Sequence, residues 1–409
     1  GGVKFTNGYA TSATCTPSRY ALLTGIYPWR NKEAKILPGT APLLIDTAQV
    51  TIPKMLKTKG YHTGIVGKWH LGLGNGNVDW NTHISPGPNE VGFDYSYIMA
   101  ATQDRVPTVY IKNGYVDNLD LNDPIQPTGT DNPELLKMVG DPQHSNSINN
   151  GVPRIGYMKG GASAKWIDED MADHFLSEAQ NYIKRQSDKP FFLYYALQQP
   201  HVPRTPNPRF VGTSGMGPRG DVIVEADWCI GELLKTLEDE GLLENTLIVF
   251  SSDNGPVLDD GYADSAVEKL GNHKPHVSDA LVSQIDLLAS LSSLFDTDIP
   301  DTDSQNLLDV FLGKANEGRE NLIIEATTRT AFRQGDWILI PPYKGPAVNK
   351  IKNIETGNSK EYQLYNLKED IGQKNNLAKM HPDKLEAMLK EFESIRGGAY
   401  NEIEQPDFK

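Results

Sequence analysis

Three short apolar runs, each ending abruptly in polar residues, constrain the fold of this chain more than any other feature. Tyr61 to Gly67 (YHTGIVG), Phe191 to Leu197 (FFLYYAL) and Leu247 to Ser251 (LIVFS) are rich in β-branched and aromatic residues and have the length of strands. Between them lie stretches whose apolar residues recur every three or four positions, over Asp168 to Gln186 and Val222 to Glu240. The second carries Ile223, Trp228, Ile230, Leu233, Leu234 and Leu237 and stops near Gly241, a suitable helix C-cap. Strands alternating with helices imply an α/β fold, a large and mostly parallel sheet sandwiched by helices. In such sheets, ligands bind where the strands end. Lys68-Trp69-His70 follows the first run, His201 the second and Asp253-Asn254 the third, so three separate runs end in residues suited to anion or metal chemistry.

Beyond about residue 318 the pattern changes. Thr330 to Pro341 and Glu361 to Leu367 read as short strands, followed by a helix over about Asp383 to Ile395. The expected organisation is a catalytic α/β domain over 1–317 and a smaller C-terminal α+β subdomain over 318–409, with a small antiparallel sheet and a terminal helix. Residues 102–161, rich in Gly, Pro, Asn and Asp, read as long surface loops. Gly215-Met-Gly217-Pro-Arg-Gly220 matches a dinucleotide-binding pattern literally, but no apolar strand precedes it and Pro218 interrupts it, so it reads as loop.

The net charge of −14 over 409 residues argues against a nucleic-acid partner, which would need a basic stripe. No run of 18 apolar residues occurs, so no membrane span is expected. Cys15 and Cys229 are too few for a disulfide framework, and if either carries function it does so singly.

Cys15-Thr-Pro-Ser18-Arg19-Tyr-Ala-Leu-Leu-Thr24-Gly25 is the most informative segment. Pro17 and Ser18 mark a helix start and Gly25 can end it, which sets Cys15 at a helix N-terminus. Free N–H groups and the helix dipole there favour an anion or a lowered thiol pKa, and Arg19 could hold an anionic group by a forked hydrogen bond. The ordinary alternative is a small buried hydrophobe. A protease-like thiol is less favoured, because nothing marks a specific histidine partner for it.

Cys-x-Pro-Ser-Arg-x-x-x-Leu-Thr-Gly resembles the signature of the type I, arylsulfatase-like sulfatases of the alkaline phosphatase superfamily, in which that cysteine is oxidised to Cα-formylglycine. Gly67-Lys68-Trp69-His70-Leu71-Gly72, Pro200-His201-Val202-Pro203 and Ser252-Asp253-Asn254-Gly255 resemble the family's later motifs in the family's order. The resemblance implies an alkaline phosphatase-like core. It also implies that a geminal hydroxyl of hydrated formylglycine attacks sulfur to form a covalent sulfate ester, and that loss of the second hydroxyl's proton expels sulfate. Carried over, Cys15 becomes the nucleophile, Arg19 and His70 position it, Lys68 and His201 contact the sulfate and leaving oxygen, and His201 is the candidate acid. Asp253, Asn254 and the modified Cys15 become ligands of Ca2+.

Resemblance to exported bacterial enzymes implies a sulfated carbohydrate substrate, a periplasmic or extracellular location and a formylglycine-generating maturation enzyme as partner. Sugar contacts are sought in Asp104, Arg105, Arg204 and His273, although as loop residues their ordinary place is the surface. With an acidic chain, binding must rest on locally basic residues, since charges are screened over ~8 Å.

The chain departs from the family twice. It starts fourteen residues ahead of Cys15, leaving no room for an earlier strand with acidic ligands, and Asn272-His-Lys-Pro275 runs directly into His276 without the family's Gly-Gly-Lys segment. Lys274 does not fit that lysine's motif. The expectation is an abridged sequence with segments dropped there and near Ile125-Gln126-Pro127; the alternative is a genuine deletion. Rival functions are a phosphoester or phosphonate hydrolase of the same superfamily, and a non-catalytic sulfoglycan-binding protein if the deletions are real.

Overall fold

The computed structural model describes residues 3–128, 156–186, 189–256, 278–326, 329–349 and 354–398. Their backbone falls into two compact units, one built from the described residues of 1–36 and 251–409, the other from those of 37–250. His273, Lys274 and the Pro275–His276 junction lie outside the described residues.

In the first unit, helix α1 (Cys15–Thr24) follows strand β1 (Phe5–Tyr9). The helix ends where Gly25 takes φ 67° and its N–H closes on the Ala21 carbonyl, a left-handed cap that a side chain would resist. Strand β9 (Ser278–Ser283) pairs with β1 in parallel and is followed by helices α5 (Leu287–Leu294) and α6 (Leu308–Phe311). Four antiparallel strands, β10 (Asn321–Ala326), β11 (Arg329–Gln334), β12 (Trp337–Ile340) and β15 (Gln363–Asn366), form a sheet in that order. Helix α7 (Pro382–Arg396) packs on this sheet, and β13 (Val348–Asn349) and β14 (Ile354–Glu355) form a separate antiparallel pair. Ala21 of α1 shares one core with Leu281, Ile285, Leu322, Phe332, Leu364, Met388 and Phe392. That core fixes the helix bearing Cys15 by apolar burial.

In the second unit, five strands are ordered β5-β4-β3-β2-β8: Tyr115–Val116, Tyr110–Lys112, Tyr95–Met99, His62–Lys68 and Phe191–Ala196. β3, β2 and β8 are parallel, while β4 runs antiparallel to β3 and β5 antiparallel to β4, so the sheet is mixed. The short pair β6 (Gln126–Thr128) and β7 (Tyr157–Lys159) stands apart. Helix α2 (Ile52–Lys57) precedes β2, and α3 (Met171–Lys184) and α4 (Gly217–Asp239) realise the two helical patterns. Phe175, Ala179 and Tyr182 of α3 pack on Val66, Tyr95 and Tyr97 in the main core of this unit.

Three expectations are corrected. Leu247–Ser251 is not a strand: Leu247, Ile248, Val249 and Phe250 are 55%, 46%, 55% and 80% exposed and have no ladder partner among the described residues. Strand propensity without a neighbouring edge gives no hydrogen-bonded ladder. The segment after residue 102 is not all surface, because Thr102, Gln103, Asp104 and Thr108 are buried. Finally, Gly217–Gly220 is the first turn of α4, with Pro218 in the tolerated N-terminal position.

Candidate functional site

The first unit presents Cys15 as the first residue of α1, half-buried, with no side-chain cap at Thr14. One turn on, Arg19 is 4% exposed, and its Nε donates to Asp253 Oδ2 at 2.8 Å. The sequence separates those two residues by 234 positions, yet the fold joins them in an ion pair. Gln284, buried after β9, donates to the Ser251 hydroxyl at 3.3 Å and to the Ser252 carbonyl, tethering the segment that carries Asp253 and Asn254. Asn254 Oδ1 is buried without a hydrogen-bond partner, while its Nδ2 donates to the Gly255 carbonyl at 3.0 Å.

The Asp253–Asn254 pair therefore offers hard oxygen donors, one of them lacking a proton donor, which suits a calcium ion. No cluster of three or more His, Cys, Asp or Glu able to hold a metal occurs among the described residues. The pair fits as part of a donor set.

In the second unit, parallel register brings strand ends level. Lys68 at the end of β2 pairs with Met99 at the end of β3, and Gly67 with Ala196 at the end of β8. Lys68 is 3% exposed. The ladder continues one step further, with Trp69 N–H on the Met99 carbonyl and His70 N–H on the Ala100 carbonyl, both at 3.1 Å. His70, at φ 56° and 1% exposed, donates from Nε2 to the Leu37 carbonyl at 2.8 Å.

His201 follows β8 on a tight loop, its N–H on the Gln198 carbonyl at 3.0 Å. Its Nδ1 lies 2.7 Å from the Val202 carbonyl; the carbonyl only accepts, so Nδ1 carries the proton and Nε2 a lone pair. Burial pushes His201 down to about 4, with Lys68 and Arg105 acting the same way and Asp104 opposing. His201 is thus within electrostatic reach of Lys68, Asp104 and Arg105, and is neutral at pH 7.

Asp104 is buried, accepting from the Thr102 hydroxyl at 2.6 Å, and Arg105 Nη1 lies 3.6 Å from it and 2.6 Å from Thr102 Oγ1. Arg204, 4% exposed at φ 56°, donates from Nε to the Pro200 carbonyl at 2.9 Å. Asp104 and Arg204 are therefore not surface residues, since each is folded into the loop that carries it. Cys229 is buried in α4, where burial pushes its thiol up to about 12 and leaves it inert.

Two supports of the His201 loop were not expected from the sequence. Glu225, 2% exposed on α4, accepts the Asn207 N–H at 3.0 Å and the Gln199 amide at 3.2 Å, gripping both ends of the loop. Gln103 Nε2 bridges Asp168 Oδ1 at 2.7 Å and Thr205 Oγ1 at 2.9 Å. The signal was present for Glu225: it falls between Val222 and Cys229 on the buried stripe of α4, where an acid must have partners.

A sulfatase family model matches residues 1–297. An N-acetylgalactosamine-6-O-sulfatase of Bacteroides thetaiotaomicron is 46% identical over 440 residues, covering 97% of this chain and 86% of the relative. That alignment is longer than this 409-residue chain, so the relative carries segments absent here. A solved structure from work on glycosaminoglycan metabolism by the same organism superposes with a TM-score of 0.90 at 44% identity, over 97% of this chain and 92% of that one. A phosphonate monoester hydrolase of Agrobacterium radiobacter, at 13% identity and a TM-score of 0.58 over 97% of this chain and 88% of that one, shares the fold alone. Given a family match over most of its length and a relative of that identity across nearly all of it, the chain belongs to the sulfatase family of sulfuric ester hydrolases.

Proposed function

We propose that this protein is an exported enzyme that removes a sulfate ester from a glycan, with 6-O-sulfated N-acetylgalactosamine as the leading substrate. The observation carrying this reading is the convergence of Lys68, Asp104, Arg105 and His201 at the ends of parallel strands, in a member of the sulfatase family. The 46% identity to an enzyme of that specificity supports the choice of sugar.

In this reading Cys15, converted to formylglycine by a maturation enzyme, supplies the nucleophile. Arg19, held by Asp253, keeps a positive charge one turn along the helix that presents it. Asp253 and Asn254 would contribute oxygen ligands to Ca2+, which when bound would supply positive charge beside the nucleophile. Lys68 neutralises the ester's negative charge. His201 starts neutral with its Nε2 lone pair available. An anionic ester beside it favours the imidazolium, so His201 gains a proton with substrate and can pass it to the departing alcohol oxygen. Asp104, Arg105 and Arg204 shape the sugar's surroundings. The role of His273 is part of the same proposal.

The test is hydrolysis of N-acetylgalactosamine sulfated at C4 or C6, with phosphate esters as controls, by the complete matured protein. Turnover of the 6-O-sulfate is expected, with the wild-type peptide bearing Cys15 showing an aldehyde by mass spectrometry. Cys15→Ala should lower kcat at least ~1,000-fold, and calcium chelation should cause a loss that added Ca2+ restores. Activity on phosphate esters with none on any sulfated sugar would overturn the reading, and sugar binding without turnover would make the protein a lectin.

A further inference from the structure

Within the second unit, the residues after His70 fold back on an earlier strap. Leu44 N–H bonds the Leu71 carbonyl and Leu43 N–H the Gly74 carbonyl at 2.9 Å, while Leu73 N–H bonds the Ala41 carbonyl at 2.8 Å. The same strap supplies the Leu37 carbonyl to His70. At Gly39 it runs so close to the loop of Asp104 and Arg105 that a Cβ would collide with the Val106 carbonyl. A cavity of about 450 Å³ opens beside this strap, walled by Thr40, Asn77, Asp79, Trp80, Asn81 and Gln126. Its volume lies within the ~300–1,000 Å³ of ligand clefts.

The wall chemistry is selective. Among the described residues that line it, Asp79 is the sole charged group and there is no Lys or Arg, so a sulfate or phosphate would meet repulsion with no counter-charge. Amides, a hydroxyl and an indole instead offer the mixed donors and acceptors that sugar hydroxyls and an acetamido group use. One wall is already rigid: Asn81 accepts from Ile125 N–H at 2.7 Å and donates to the Ile125 carbonyl and to Asp79 Oδ1, both at 3.1 Å. The Thr40, Asn77 and Gln126 side chains are exposed and hold no hydrogen-bond partner among the described residues.

We propose that this cavity binds an uncharged sugar ring of the glycan, a neighbour of the sulfated residue. The inference rests on the carbohydrate sulfatase reading above and deepens it: the strap that fixes His70 also walls a second contact, so affinity grows with chain length.

The test compares 6-O-sulfo-N-acetylgalactosamine with the same sugar joined to galactose, using wild type, Asn77→Ala, Gln126→Ala and the double variant. The disaccharide should have about tenfold higher kcat/KM in the wild type, the worth of one or two hydrogen bonds. The variants should lose that advantage through KM, with monosaccharide kinetics and thermal midpoint unchanged. Equal effects on both substrates, an advantage that survives in the double variant, or no advantage in the wild type would overturn the proposal. Calorimetry with unsulfated N-acetylgalactosaminyl-galactose separates this from the catalytic reading. If neither sulfated sugar turns over, the proposed substrate fails, yet binding lost in the double variant still supports the cavity, and absent or unchanged binding overturns it.

Discussion

At the residue scale, His201 shows how environment sets chemistry. Its ring stays neutral to about 4, whereas an unfolded histidine takes its proton near ~6.5. Between those values the unfolded chain binds the extra proton, so the contribution of His201 is complete above about 6.5 and is lost as pH falls toward 4. The wild type should therefore lose on the order of 2 kcal/mol across that window relative to His201→Gln, measured by chemical denaturation at a series of pH values. A pH-independent difference between the two proteins would refute the neutral assignment. Pro200-His201-Val202-Pro203 marks His201 as a candidate in the sequence, but the position of its proton is not legible there. Which nitrogen carries it depends on a carbonyl supplied by the loop's own turn.

At the element scale, the supports of a loop matter as much as its chemistry. Glu225 on α4 holds Gln199 and Asn207, the two ends of the loop that presents His201 and Arg204. Glu225→Ala leaves a buried N–H and a buried amide without acceptors and should cost about 2–3 kcal/mol of stability and lower kcat. Glu225→Gln keeps an acceptor for Asn207 and should recover much of both, as read by thermal melting and steady-state kinetics. If the two variants behave alike, the hydrogen bonds are not what orders the loop.

Element identity was mostly legible. The expected strands and helices at 61–67, 168–186, 191–197, 222–240 and 383–395 all correspond to observed elements, because their apolar periodicities are long and consistent. The run at 247–251 shows the limit of that reasoning. Four consecutive apolar residues satisfy a strand pattern, but a ladder needs a partner edge, and sequence reports only one side of it.

At the scale of the whole molecule, a fully buried ion pair ties together distant segments of the first unit. Arg319 and Asp286 are 2% and 0% exposed at the side chain and meet through three hydrogen bonds at 2.7–3.0 Å, donated by Nε and Nη2. Arg319 also donates to the Tyr27 hydroxyl at 3.2 Å and to the Asp303 carbonyl at 2.6 Å, tying the segment after α1 to the helices after β9. Asp286→Ala strands a guanidinium in the core and should cost about 3–5 kcal/mol, visible as a lower urea midpoint. A loss below ~1 kcal/mol would mean that water reaches the site.

By itself the sequence determined the alternation of strands and helices, the signature around Cys15 and the order of the motifs behind it, since these are local patterns of residue type and spacing. Tertiary structure alone decided that Arg19 takes Asp253 as its partner, that Asp104 and Arg204 are buried, that Glu225 grips the His201 loop, and that a polar cavity lies beside the strap holding His70. Each of these joins groups distant along the chain, and hydrogen bonds, burial and pKa shifts depend on distance in space.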